Sequence, residues 1–167
     1  SAITEGLKGE TAWRNSMTKI YESLANDYMY GELNNIMIFP DNHDMSRIYT
    51  QLDEDFDLWK MAMSIYFTMR GTLQIFYGTE ILMSNGESSD HGIIRSDFPG
   101  GWSGDNVNVF TGNGLSTQQL EGLEWFKKLA HLRKNNLALN SGKLLHYIPY
   151  NEVYVYFRSF EQERIMV

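Results

Sequence analysis

Two short apolar runs, separated by one helix-length segment, limit what this chain can fold into. The first is Ile36, Met37, Ile38 and Phe39; the second is Leu73, Gln74, Ile75, Phe76 and Tyr77. The first does not alternate apolar with polar residues, which is the pattern of a strand covered on both faces in a parallel sheet. Each run stops at a polar tip: Asp41, Asn42, His43 and Asp44 after the first, Gly78, Thr79 and Glu80 after the second. The segment between them opens on Asp53, Glu54 and Asp55, a good start for a helix dipole, and runs strongly apolar to Met69 and Arg70. Strand, helix, strand is a βαβ unit, with parallel strands and a right-handed crossover. Such folds carry their chemistry at the C-terminal strand tips.

The flanking segments extend this α/β reading. Trp13, Met17, Ile20, Tyr21, Leu24 and Tyr28 recur at spacings of three and four, predicting a helix over 10–30 that Gly31 stops. Residues 84–114 are rich in Gly, Ser, Asn and Asp, too long a stretch for a plain connection and typical of a functional or mobile loop. Ser116 and Gln119 form a capping box for a helix to about Asn135, with Leu120, Leu123, Phe126, Leu129 and Leu132 as its apolar stripe. Character changes after that. Residues 143–149 and 153–160 read as strands around a turn at 150–152, and a third strand starts at Arg164. Val153, Val155 and Phe157 alternate with Tyr154, Tyr156 and Arg158, the pattern of an antiparallel pair with two different faces. Two parallel strands do not make a stable sheet alone, so the chain is expected to be a piece of a larger protein.

Composition excludes several functions. A net charge of −7, with Lys and Arg scattered, argues against a nucleic-acid partner. There is no cysteine, hence no disulfide and no thiolate metal site. No apolar run reaches the length of about 18 residues that a membrane span needs. His91 has no second ligand at suitable spacing, and no calcium-loop or phosphate-loop pattern occurs, so no metal and no cofactor is assigned. Aromatics reach 14%, which suits either a sugar-stacking surface or a large core. Trp59, Tyr66 and Phe67 lie in a helix and are assigned to the core, while Trp13 and Trp125 read as packing residues. Trp102, in a glycine-rich loop, fits a stacking platform or a plug on the rim equally well.

The richest tip is Asp41 to Asp44. A carboxylate there can act as nucleophile, acid, metal ligand or partner of a substrate hydroxyl, and His43 can donate to a hydroxyl or act as a base. Glycoside hydrolysis needs two carboxyls, about 5 Å apart for retention and roughly 6.5–9.5 Å for inversion. Nothing in the spacing aims both Asp41 and Asp44 at one sugar, so they are not assigned as that pair.

These residues carry a resemblance. Phe39, Asn42, His43 and Asp44 are similar to the seventh-strand motif Phe-x-x-Asn-His-Asp of the α-amylase family. Residues 71–80 resemble its eighth-strand motif Gly-x-Pro-x-Ile-Tyr-Tyr-Gly-x-Glu, with Leu73 in place of Pro and Phe76 in place of Tyr. Residues 95–102 are similar to a loop of its cyclomaltodextrinase and neopullulanase branch. The resemblance implies the last part of a (β/α)8 TIM barrel over 1–140, holding the seventh and eighth strands with their helices. It implies the start of an antiparallel β-sandwich domain over 141–167. It implies retaining cleavage of α-1,4 glucosidic bonds in maltodextrins, cyclomaltodextrins or pullulan, by hydrolysis or transglycosylation, with an α-glucan oligosaccharide as the partner. Asp44 matches the carboxylate that stabilises the transition state, and His43 the histidine that bonds the same sugar. Asn42, Arg47 and Trp102 are the further substrate-binding candidates; for Arg47 a salt bridge to a nearby carboxylate is the competing reading. The family's nucleophile Asp and acid/base Glu, on its fourth and fifth strands, have no counterpart here, so the chain alone is expected to be inactive. The competing class is a non-catalytic carbohydrate-binding or structural module. Unpaired strand edges predict self-association.

Overall fold

A computed structural model describes residues 1–9 and 17–167. Helix α1 (Ala2–Lys8) starts at a Ser1 capping box and ends at Gly9 in the left-handed conformation. Helix α2 (Met17–Ala25) buries Ile20 and Leu24, then tightens into a 3-10 turn at Asn26–Met29. The predicted helix over 10–30 is therefore seen from Met17 onward; its first part, with Trp13, lies outside the described residues.

Strand β1 (Met37–Ile38) pairs in parallel with β2 (Thr72–Leu73), in register Met37 to Thr72 and Ile38 to Leu73. The ladder bonds run from Thr72 N to Ile36 O and from Gln74 N to Ile38 O, both 2.9 Å. Both strands are shorter than the apolar runs predict, and Met37 is 54% exposed rather than covered on both faces. The reason is pairing: among the described residues each strand has one neighbour, so the ladder stops where their overlap ends. Gly71 makes the approach possible. Its φ is 102°, and a Cβ there would lie 2.5 Å from the Ile36 carbonyl oxygen.

Between the strands lie a short helix, α3 (Ile48–Gln51), and the long α4 (Phe56–Thr68). Asp55 caps α4 by accepting from the amides of Asp57 and Leu58, at 2.8 and 2.9 Å. α4 is the centre of the core. Trp59, Ala62 and Met63 are fully enclosed, and Tyr66 and Phe67 nearly so, as the sequence predicts. Full burial of a large apolar side chain stabilises by roughly 1.5–3 kcal/mol. Where α4 ends, Arg70 forms a two-pronged pair with Asp27, tying the turn after α2 to this point.

After β2 come a 3-10 turn at Thr79–Ile81, the single-turn α5 (His91–Ile94), the loop to residue 115, and α6 (Thr117–Lys134). The capping box at Ser116 and Gln119 forms as predicted. The apolar stripe forms in part: Leu129 is buried and Leu123 and Phe126 are half-buried, with Phe126 packed on the core, whereas Leu120 and Leu132 stay 42% and 40% exposed; Gly122 is buried as well. The helix approaches by its smallest residue: a Cβ on Gly122 would sit 3.4 Å from Leu82. Further along, Arg133 donates to the carbonyls of Phe67 and Met69, satisfying the C-terminal end of α4.

The short α7 (Leu137–Asn140) leads into an antiparallel sheet of β3 (Lys143–His146), β4 (Tyr156–Phe160) and β5 (Glu163–Met166), in the order β3-β4-β5. The predicted turn is present, with Asn151 and Glu152 both at positive φ and a bridge between Tyr150 and Val153. The two faces differ as predicted, and the polar one is inward: Tyr156 and Arg158 are the buried side chains, at 1% and 0% exposure. Arg158 donates to the Thr68 and Gly142 carbonyls at 2.7 and 2.9 Å, and the Tyr156 hydroxyl meets that of Thr68. These bonds dock the sheet on α4 and satisfy both terminal nitrogens of the guanidinium, while the buried Arg158 Nε has no partner.

Candidate active site

The tip after β1 is built from the inside out. Asp41 is fully enclosed; its Oδ2 accepts from the Ile48 amide at 2.8 Å and its Oδ1 from the Thr79 hydroxyl at 2.9 Å. One carboxylate thus joins the β1 tip, the start of α3 and the β2 tip. Burial pushes its pKa above the usual aspartate value, against the bonds from Ile48 and Thr79 and the attraction of Arg47. Asn42 Oδ1 accepts from the Asp44 amide at 2.8 Å, a local turn that fixes how the chain leaves the strand.

Arg47 is also enclosed, at 0% exposure. Its Nε donates to the Ile94 carbonyl at 2.9 Å and its Nη1 to the Tyr77 carbonyl. The guanidinium carbon lies 4.1 Å from the Phe76 ring centroid and 4.9 Å from that of Tyr77. Both sequence readings of Arg47 need correction: the side chain is neither on the surface, where a sugar could touch it, nor bonded to a carboxylate. It bonds carbonyls and rings because its stem leaves the tip inward, beneath the polar residues. The Asn85 side chain accepts from its main-chain amide at 2.8 Å, completing the enclosure. Glu80 lies nearby, its pKa raised by burial and held back by bonds from its own amide and that of Gly78.

His43 and Asp44 stand on this scaffold with side chains 61% and 60% exposed. His43 Nε2 lies 3.1 Å from Asp44 Oδ2. The other carboxylate oxygen, Oδ1, accepts from Arg95 Nη2 at 2.9 Å, and Arg95 Nε donates to the His43 carbonyl at 2.9 Å. His91 Nδ1 is 2.8 Å from the same Arg95 nitrogen. Sequence reasoning missed Arg95 and His91 as neighbours of Asp44. Their signal was present in the i, i+4 spacing of His91 and Arg95 across the one turn of α5, which Asp90 caps. Among the described residues no group of His, Asp and Glu is arranged to hold a metal.

Trp102 is 68% exposed. Asp105 Oδ2 accepts from the amides of Gly100 and Trp102 at 2.8 and 3.1 Å, pinning the loop that displays the ring. Phe98 and the exposed Phe110 pack at 5.6 Å in the same loop, and the Tyr77 hydroxyl ties it down through the Ser96 carbonyl.

A paired carboxylate and imidazole on a parallel-strand tip can exchange hydrogen bonds with hydroxyl groups, and the aromatic loops beside them offer flat apolar faces. The chain matches the alpha amylase catalytic domain over residues 8–108 and the cyclo-malto-dextrinase C-terminal domain over residues 144–167. It belongs to the α-amylase family. The cyclomaltodextrin glucanotransferase of Paenibacillus macerans is 29% identical over 95% of this chain and 19% of its own length. Among solved structures, the α-amylase of Geobacillus thermoleovorans, complexed with acarbose, superposes with a TM-score of 0.72 at 22% identity, over 99% of this chain and 33% of that one. A cyclomaltodextrinase superposes with a TM-score of 0.73 at 21% identity, over 99% and 27%. The chain therefore spans about a fifth of the length of the glucanotransferase. The structural neighbours carry the family's barrel with a C-terminal antiparallel sheet, and β3 to β5 are such a sheet here.

Proposed function

We propose that residues 1–140 supply the seventh and eighth strands of a (β/α)8 barrel, with their helices, and that residues 141–167 open its C-terminal all-β domain. The whole protein then acts on α-1,4 glucosidic bonds of maltodextrins, cyclomaltodextrins or pullulan with retention of configuration. The observation that carries this reading is the exposed His43–Asp44 pair at 3.1 Å, on a tip fixed from below by Asp41 and Arg47.

Asp44 holds hydroxyls of the sugar at the cleavage point, and its bonds strengthen as the ring flattens toward an oxocarbenium ion. His43 bonds a hydroxyl of the same sugar. Trp102 offers a flat apolar face to a neighbouring glucose. Asn42 and Arg47 serve the site by shaping and supporting the tip. Covalent chemistry needs two further carboxyls, a nucleophile and an acid/base, which the family resemblance puts on strands absent from these 167 residues. The 167-residue chain alone is accordingly inactive. Incubating it with cyclomaltodextrin and pullulan tests this; turnover above that of an Asp44→Ala control overturns it.

Transfer to a second sugar is the other reading, favoured by relatives such as the Paenibacillus macerans glucanotransferase. Products separate the two: new or cyclic oligosaccharides mark transfer, and reducing ends rising in step with bond cleavage mark hydrolysis.

A further inference from the structure

We infer that Arg95 is a positioning residue for Asp44, itself aimed by His91. The inference rests on the assignment of Asp44 to the α-glucan site. Arg95 binds two successive residues of the tip with one planar group: Nε donates to the His43 carbonyl and Nη2 to Asp44 Oδ1, each at 2.9 Å. One contact fixes the backbone and the other the carboxylate, so together they set the direction of Asp44. A lysine ammonium, a point charge without the fork, cannot reproduce that geometry.

His91 completes the arrangement. Arg95 Nη2 is a donor only, so the 2.8 Å contact makes His91 Nδ1 the acceptor and puts the imidazole proton on Nε2. Both hydrogens of Nη2 are then used, one on Asp44 and one on His91. His91 opens α5 and Arg95 is the cap residue that follows its end; the start is fixed by the Asp90 side chain accepting from the Gly92 amide at 2.7 Å. At its other end, the Ile94 carbonyl accepts from the enclosed Arg47. The loop after the second parallel strand thus reaches back to hold the carboxylate on the first. The remaining oxygen, Oδ2, is paired with His43 Nε2 at 3.1 Å, and this exposed pair is what faces substrate.

The test is a double-mutant cycle in the whole enzyme, read on maltoheptaose, with Asp44→Ala, Arg95→Ala and the pair. Arg95→Ala should lower kcat by about tenfold to a hundredfold, the cost of a misplaced group, with little change in KM. Arg95→Lys should recover only part of it. In the Asp44→Ala background, Arg95→Ala should cost nothing further. A loss that persists undiminished without Asp44, or one confined to KM, means Arg95 binds sugar directly and overturns the inference. An Asp44→Ala enzyme with undiminished turnover instead removes the functional assignment beneath it. Nitrogen-15 NMR of the 167-residue chain gives a readout without activity: His91 should show the Nε2–H tautomer with a bonded Nδ1, and Arg95→Ala should abolish that bond. An unbonded Nδ1 in the unaltered chain, or the same bonded signal in Arg95→Ala, contradicts the inference.

Discussion

Asp41 at the end of the first parallel strand and Thr79 at the end of the second are joined by a 2.9 Å hydrogen bond from hydroxyl to carboxylate. Neither side chain is exposed, so this bond fixes one strand tip against the other beneath the surface that displays His43 and Asp44. Its carboxylate has a pKa raised above 3.8, chiefly by burial. The folded chain therefore holds this proton more tightly than the unfolded one. The stability this gives is complete below the unfolded pKa and is lost as pH rises through the higher folded value. Glu80 acts in the same direction. Asp41→Asn can keep both bonds, with its oxygen facing the Ile48 amide and its nitrogen facing the Thr79 hydroxyl. The melting temperature of Asp41→Asn relative to the unaltered chain should therefore improve between acid and neutral pH. A constant difference across that range contradicts the electrostatic account of this buried carboxylate.

Gly71 allows the two strands to meet. A methyl group there collides with the Ile36 carbonyl at 2.5 Å, and the φ of 102° is strained for any other residue. Gly71→Ala should cost about 1–3 kcal/mol in chemical denaturation. An unchanged midpoint contradicts the register described for β1 and β2.

Among the described residues the parallel pair has no third strand, and Met37 lies open in it. Edges of this kind recruit other chains. Light scattering of the 167-residue chain should show a mass that grows with concentration. A strictly monomeric species at high concentration contradicts self-association through these edges.

Trp102 sits on a loop pinned by Asp105, exposed and ready to stack. Calorimetric titration with maltooligosaccharide should show saturable binding that Trp102→Ala weakens by about 1–2 kcal/mol, the worth of an aromatic platform. Equal affinity in the two chains removes Trp102 from the site.

The order of elements was readable because periodicity reports the βαβ unit directly: the β1–α4–β2 succession and the Ser116 capping box stand where the pattern puts them. Strand lengths were not, since a ladder's extent depends on neighbours that one strand's residues do not specify. Which face of β4 is buried was not legible, for a related reason. Arg158 looks like a surface residue until the Thr68 and Gly142 carbonyls are brought to it by the ends of α4 and α7. At the site, Asp44 and His43 were legible because they are adjacent in sequence. Arg95 lies 51 residues from Asp44, and only folding of the loop brings them together. Arg47 was misread because burial along the tip follows no fixed period, with Asp41 and Arg47 enclosed and His43 and Asp44 exposed between them, so no local signal separates an arginine that reaches out from one that props the tip.

The most direct test of the account is turnover of an α-1,4 glucan by the whole enzyme carrying Asp44→Ala. Loss of a preorganised group that stabilises developing charge should lower kcat by about a hundredfold to a thousandfold, with the protein still folded by circular dichroism. Turnover within a few-fold of the unaltered enzyme contradicts the assignment of this strand tip to the active site.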